Sequence, residues 1–421
     1  MKKQLKKGLS WFLTVVLLLG LLGAFPAVAD PSAVWDGSIA SEFSGGDGTE
    51  ANPYKIATGA QLALLAKYVN EANASYNGKY YQLTADINLN DVSAYENWTA
   101  STTGLNPWTP IGYTNTFSGH LNGNGYAISG LYMTGNAVGT YSGLFGHVSG
   151  GEVKDLRVTH AFIDLYLTAD VLSTNAFTCG GVGAVAGRIS SGAVLDGCAS
   201  NAKITVTKVK DSANSMHVGG VVGEAGARST GAAAESSFQI VRCAFEGEVT
   251  GVNCTNDNST VGGICGNAAS IGRTSSIEQC VNHGSVNADT PKAAGGILGM
   301  SHGMWTVDSR VDIRNCCNTG RIKVNASMSG TGGIVGFAYA SATVENCFNV
   351  GAVSDGTRPR QMVSDYYAAS YGFTWSFIND YINADDETMG GTMECNNAMI
   401  SLSLGANEFV AENLGTLPED V

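Results

Sequence analysis

Residues 332–353 read GGIVGFAYASATVENCFNVGAV. The stretch opens on a Gly-Gly-apolar-apolar-Gly pentad. After a gap come an apolar residue, two polar ones and a cysteine, here Val344, Glu345, Asn346 and Cys347. A glycine follows four positions later (Gly351), and a valine two beyond that (Val353). The same order of residues recurs at 295–322, 262–286 and 219–249, and more loosely at 183–204 and 142–162. Repetition at intervals of a few tens of residues means one supersecondary unit copied along the chain. Each copy is unable to bury its apolar side alone, so the copies stack.

The cysteine position is filled by Cys198, Cys243, Cys280, Cys316 and Cys347. Upstream, Ile128-x-x-Leu131-x-Met133 matches Val153-x-x-Leu156-x-Val158, which puts Leu131 and Leu156 at the head of the same series. Steps along it are 25, 42, 45, 37, 36 and 31 residues. Short apolar segments of constant length, joined by unequal connections (211–216, 224–237, 251–259 and 301–310), are the pattern of strands in a coil whose loops vary. The expected fold is all-β: a right-handed parallel β-helix of about six to seven coils, stacked about 4.8 Å apart. Ile264, Ile297 and Ile334 form one inward ladder. The glycine pairs sit where the chain bends or where backbones approach closely. Asn282, Asn318 and Asn349, each two residues past a ladder cysteine, stack as amides at a turn.

The ends differ from the middle. Lys2, Lys3, Lys6 and Lys7, an apolar run from Trp11 to Phe25, and Ala27-Val28-Ala29 make a secretory signal peptide over residues 1–29, cleaved after Ala29. Residues 30–110 read as an N-terminal cap with one α-helix at about 58–72. Thr58 and Gln61 form its capping box, and Leu62, Leu65, Ala66 and Val69 lie on one face. The β-helix proper spans 111–353. Residues 354–421, crowded with Tyr366, Tyr367, Tyr371, Phe373, Trp375, Phe377 and Tyr381, read as a C-terminal cap and tail. No further apolar run is long enough to span a membrane, so the mature chain is expected to have no membrane span. Leu417-Pro418-Glu419-Asp420 is not a sortase signal, and no hydrophobic tail follows it. A truncated stalk of a larger surface protein is therefore one of the open readings.

Composition narrows the function. Of 421 residues 55 are glycine, and only 14% are charged. Without the signal lysines, 19 basic residues face 36 acidic ones. A strongly acidic chain is a poor partner for nucleic acid and for anionic membranes.

Gly143-Leu144-Phe145-Gly146 and its successors resemble the GLUG motif. So does the opening, with FSGGDGTEANPYKIATGAQLALLAKYVN at 43–70, then YYQLTADINL, WTPIGY and FSGHLNGNGYAISGL. The resemblance covers residues 35–353. It implies an extracellular bacterial β-solenoid, of the kind found in surface and adhesin-like proteins and beside the catalytic domain of some immunoglobulin-A-cleaving peptidases. It brings no catalytic residues with it. Most copies here carry Val, Ile or Ala where the motif has Leu, which alters packing rather than topology.

Ten cysteines in a secreted chain invite disulfides. In-register neighbours about 4.8 Å apart with parallel Cβ vectors fit a disulfide poorly, so free buried thiols are favoured. No CxxC pair supports a metal site. His120, His147, His160, His217, His283 and His302 fall on different coils in no ligand spacing, which favours surface or turn roles. Catalysis on a β-helix needs a basic group or two carboxylates converging on one face. Glu224, Glu235, Asp257, Asp308 and Arg310 are the candidates in the connections, and no tight cluster singles them out. Trp305 and residues 366–375 are candidates for glycan stacking, with end-capping as the favoured role. No catalytic, cofactor-binding or metal-ligating residue is assigned, and no cofactor is expected. The expected function is a secreted or cell-surface adhesin-like binding or scaffold protein of a Gram-positive-type bacterium, and not an enzyme. Its expected partners are glycans or host matrix proteins. The alternative is a polysaccharide lyase or glycoside hydrolase on the same scaffold.

Overall fold

The computed structural model describes residues 33–137, 141–167, 180–208, 215–226, 236–254, 259–270, 273–303, 309–327, 330–355, 359–360, 363–366, 375–378 and 381–382. The signal-peptide reading, Cys179, Cys395, Trp305 and much of the variable connections lie outside these residues.

The chain winds through five parallel sheets in turn, and every strand pair among the described residues is parallel. It is a parallel β-helix. We number the faces 1 to 5 in the order in which one coil visits them. The coil beginning at Glu248–Val252 (face 1) continues through Thr260–Gly262 (face 2), Cys265–Ser270 (face 3), Thr274–Glu278 (face 4) and Val281–Asn282 (face 5). Faces 1, 2 and 3 each hold seven strands, face 4 ten and face 5 nine. Seven coils of five strands result. The coils do not end with the repeated pattern: Pro359–Arg360, Val363–Tyr366, Trp375–Ile378 and Tyr381–Ile382 continue the sheets past residue 353.

The repeated residues map onto corners. The pentad is the corner between faces 2 and 3. Ile264, Ile297 and Ile334 there are fully buried, each joined to the next through backbone hydrogen bonds. Its glycines are required by close approach. A Cβ on Gly263 would lie 2.1 Å from the Gly296 carbonyl oxygen, and one on Gly296 would lie 2.1 Å from that of Gly333. The cysteine position is the corner between faces 4 and 5. The residue before it is left-handed in coil after coil: Arg242 (φ 52°), Gln279 (φ 56°), Asn315 (φ 54°) and Asn346 (φ 52°).

That corner corrects one alignment. Leu121 pairs with Val153 and Ile128 with Val158, so Leu131 does not head the cysteine series. The turn Gly123-Asn124-Gly125-Tyr126 is two residues longer than its successor Asp155-Leu156, which displaces the apolar pattern. The series starts at Leu156.

At the N-terminal end the helix Gly59–Asn70 buries Leu62, Leu65, Ala66 and Val69, which belong to the same continuous core as Ile56, Tyr81, Leu83 and Phe117. Thr58 Oγ1 accepts from the Gln61 amide at 3.3 Å. The reciprocal half of the capping box is shifted by one residue: Gln61 Oε1 accepts from Ala57 N at 2.8 Å. Strands of faces 4 and 5 already begin within this end, at Tyr54–Ile56 and Ile87–Asn88. Among the described residues no helix is long and apolar enough to cross a membrane.

Candidate functional site

Face 4 opens with the strands Tyr54–Ile56, Tyr80–Leu83, His120–Asn122 and Glu152–Lys154. Alternation sends Tyr81, Leu121 and Val153 into the core. The residues on either side of them point outward in two in-register rows. One row is Tyr80, His120, Glu152; the other is Lys55, Gln82, Asn122, Lys154. Together with the loop at Glu50 and Pro53 they line an open trough of about 470 Å³.

The rows are internally bonded. The Tyr80 and His120 rings stack with centroids 4.4 Å apart at 11°. Glu152 Oε2 stands 3.7 Å from His120 Nδ1 and 3.6 Å from Lys154 Nζ. Lys55 donates to Gln82 Oε1. The loop wall is held by Asp47, whose carboxylate accepts from Thr49 N (3.0 Å) and Thr49 Oγ1 (2.6 Å). Those bonds to Thr49 hold its pKa below the ordinary carboxylate value. Gly46, at φ 87°, faces the Pro53 carbonyl, where a Cβ would sit 2.0 Å away. The trough thus offers a phenol, an imidazole, a carboxylate, two amides and two ammonium groups along one short strip.

Sequence reasoning missed this site. It singled out charged residues in connections, and the two of them that are described, Glu224 and Arg310, lie on different faces. Glu224 lies on face 3, only 2% exposed, between Arg188 and Asn267 in register. Arg310 is on face 4, its Nε 2.7 Å from the buried Asp312, which Arg314 also holds at 2.7 Å. Arg314 in turn reaches Glu345 at 3.2 Å. This is a structural ion network. Glu235, Asp257 and Asp308 lie outside the described residues.

Two histidines, His217 and His147, depart from the surface-or-turn expectation, while His120 is on the surface and His160 and His283 are at turns. His160 does sit at a left-handed turn (φ 50°). His217, however, is fully buried, its Nδ1 2.7 Å from Thr260 Oγ1. His147 bonds Ser190 Oγ at 2.8 Å, and burial with the neighbouring Arg188 guanidinium pushes its pKa down to about 3. His283 bonds Thr319 at 2.6 Å, and burial lowers its pKa.

The eight cysteines among the described residues are all free and buried. Cys280 Sγ donates to the Glu278 carbonyl at 3.2 Å and Cys316 Sγ to that of Arg314 at 3.2 Å, a bond repeated along the series. Burial pushes the thiols of Cys254, Cys265 and Cys280 up, away from reactive thiolate.

No family model matches the chain. It is 40% identical over 129 residues to a Gly-rich membrane protein of Evansella cellulosilytica, which spans 29% of this chain and 13% of that protein. It is 30% identical over 162 residues to halomucin of Haloquadratum walsbyi, covering 36% of this chain and 2% of that one. The chain therefore matches only a small part of these relatives' length. Among solved structures it is similar to one described as an immunoglobulin A1 protease from Bacteroides ovatus. The TM-score is 0.48 at 20% identity, covering 77% of this chain and 87% of that one. A second, named IgA1 protease, gives a TM-score of 0.47 at 16% identity over 85% of this chain and 24% of that one. Both are described as proteases, and the expectation that the chain is not an enzyme is withdrawn. The chain is a parallel β-helix protein.

Proposed function

We propose that this is an adhesin-like protein that holds an extracellular glycan along the face 4 trough, on a β-helix that serves as a rigid scaffold. The carrying observation is the pair of outward rows, Tyr80–His120–Glu152 and Gln82–Asn122–Lys154. A polyhydroxylated chain needs donors and acceptors repeated along a line, and parallel strands about 4.8 Å apart supply that spacing. The basic, apolar start of the chain, read as a signal peptide, and the GLUG-type resemblance support an extracellular location. Matrix proteins are the other partner class this reading admits. The test is an array of glycans and matrix proteins probed with the mature protein and with Tyr80→Ala and Gln82→Ala variants. Binding to a glycan that both variants weaken at least tenfold is expected. Glycan binding indifferent to both variants would refute the trough.

A second reading is a polysaccharide-processing enzyme. The observation that favours it is the His120–Glu152 pair at 3.7 Å beside the Tyr80 phenol, a base, a carboxylate and an acid on one strip. Incubation of the protein with acidic and neutral polysaccharides, read for new reducing or unsaturated ends, tests it. Turnover lost in Glu152→Gln is the expected result under this reading.

A further inference from the structure

A second concavity, of about 510 Å³, lies at the N-terminal end between the helix Gly59–Asn70 and the segment that follows Asn106. Its floor is aromatic: Trp35 and Trp108 meet edge to face with ring centroids 5.7 Å apart. Among the described residues only four large apolar side chains are strongly exposed. Two of them, Ile39 (52%) and Tyr113 (37%), line this pocket. Exposed apolar groups gathered at a concavity mark a binding site far better than scattered ones do.

The walls are built and fastened. Asn70 Oδ1 accepts from Gly112 N (2.9 Å) and Tyr113 N (3.0 Å), and Asn70 Nδ2 donates to the Pro110 carbonyl at 3.0 Å. The Asn70 carbonyl accepts from Thr114 Oγ1 and Asn115 Nδ2, both at 2.7 Å. Trp108 Nε1 donates to the Leu144 carbonyl at 3.0 Å. One asparagine at the helix end thus pins the opposite wall, so the pocket exists before any ligand arrives and little ordering cost falls on binding. The rim is polar, with exposed Lys67 and Glu71 one helical turn apart.

We propose that this pocket binds a saccharide carrying an N-acetyl group, at a site separate from the trough. A sugar ring presents a C–H face that packs on an aromatic surface, and its hydroxyls reach a polar rim. The acetamido methyl suits the apolar floor beside Trp35 and Ile39, and its amide suits rim donors and acceptors. A purely aliphatic ligand would leave Lys67 and Glu71 without a role, and a purely polar one would leave Ile39 and Tyr113 without one.

The test is isothermal calorimetry of the mature protein with N,N′-diacetylchitobiose, with cellobiose as the matched disaccharide lacking acetamido groups, and with a tryptophan-containing peptide. The expected result is binding of diacetylchitobiose, at least tenfold weaker cellobiose binding, and at least tenfold loss in Tyr113→Ala and in Ile39→Ser. Both residues are exposed, and unchanged melting temperatures would show that both variants fold. Tyr166→Ala, at an exposed face 1 residue that lines neither concavity, should leave this binding unchanged. Equal binding of the two disaccharides, binding of the peptide alone, or no heat at millimolar sugar would each overturn the proposal.

Discussion

Asn282 donates its side-chain amide to Asn318 across 2.7 Å in a fully buried corner, and Asn318 passes the same bond on to Asn349, also at 2.7 Å. Asn318 Nδ2 additionally reaches the Gly320 carbonyl at 3.1 Å. The amides close the bend after face 5 with hydrogen bonds that run along the helix axis. Asn318→Ala would strand a donor above and an acceptor below, each out of reach of water. The expected loss is about 2–4 kcal/mol in urea unfolding. A loss within experimental error of zero would show that the amide column is ornamental.

The thiol series predicts a chemical result. Native protein should react with a thiol reagent slowly and at few sites, because all eight described thiols are buried out of reach and burial raises the pKa of Cys254, Cys265 and Cys280. Unfolding in denaturant without reductant should then release at least the eight cysteines described as free. Few reactive thiols after unfolding would mean that disulfides form and that the series is cross-linked.

His147 sets a pH dependence. Its pKa falls from 6.5 to about 3 on folding through burial, with Arg188 adding to the effect. Above about pH 6.5 the ring is neutral in both states. Below that, the unfolded chain takes up a proton that the folded chain refuses, so stability falls as pH falls from about 6.5 towards 3. The contribution of this one ring is up to about 5 kcal/mol. His147→Gln should flatten the stability profile in that window, measured by urea melts at pH 7, 5 and 4. An unchanged acid slope would assign it to other groups.

Asp312 is 2% exposed and carries two arginines at 2.7 Å, and its Oδ1 also accepts from Thr343 N at 2.8 Å. Removing a buried partner leaves unbalanced charge, whereas removing an exposed one changes little. Asp312→Ala is expected to cost about 3–5 kcal/mol. Glu278→Ala, whose 3.5 Å contact with Arg314 is more exposed, should cost under about 1 kcal/mol. Thermal melts of the two variants check the ordering.

Gln279 holds a left-handed conformation (φ 56°) at the corner before Cys280. A side chain with a Cβ is disfavoured there, and glycine is not. Gln279→Gly should raise stability by about 0.5–1 kcal/mol after glycine's own entropy cost is subtracted. The same substitution at Gln82, an extended face 4 residue, should lower it.

Much of the fold was legible because one residue order repeats. Gly262, Ile264, Cys280 and Val286 each recur in register, and register is what a coil is made of. The left-handed corner was not legible, since Arg242 and Gln279 carry no turn signature and only their position in the coil demands the conformation. Leu131 was misplaced because a longer Asn-Gly turn shifted the pattern. The trough was invisible for a different reason. Tyr80, His120 and Glu152 are separated by whole coils, and each is ordinary alone. Stacking in register makes them neighbours.

Face 1 pairs each strand with the strand of the coil before and the strand of the coil after, and nothing further away. Duplication of a coil's worth of coding sequence therefore inserts a rung whose neighbours are the ones it already fits. Length in such a protein is a countable character that recombination can raise or lower in whole steps. The two concavities at the first coils keep their shape throughout, because every added rung lies downstream of them.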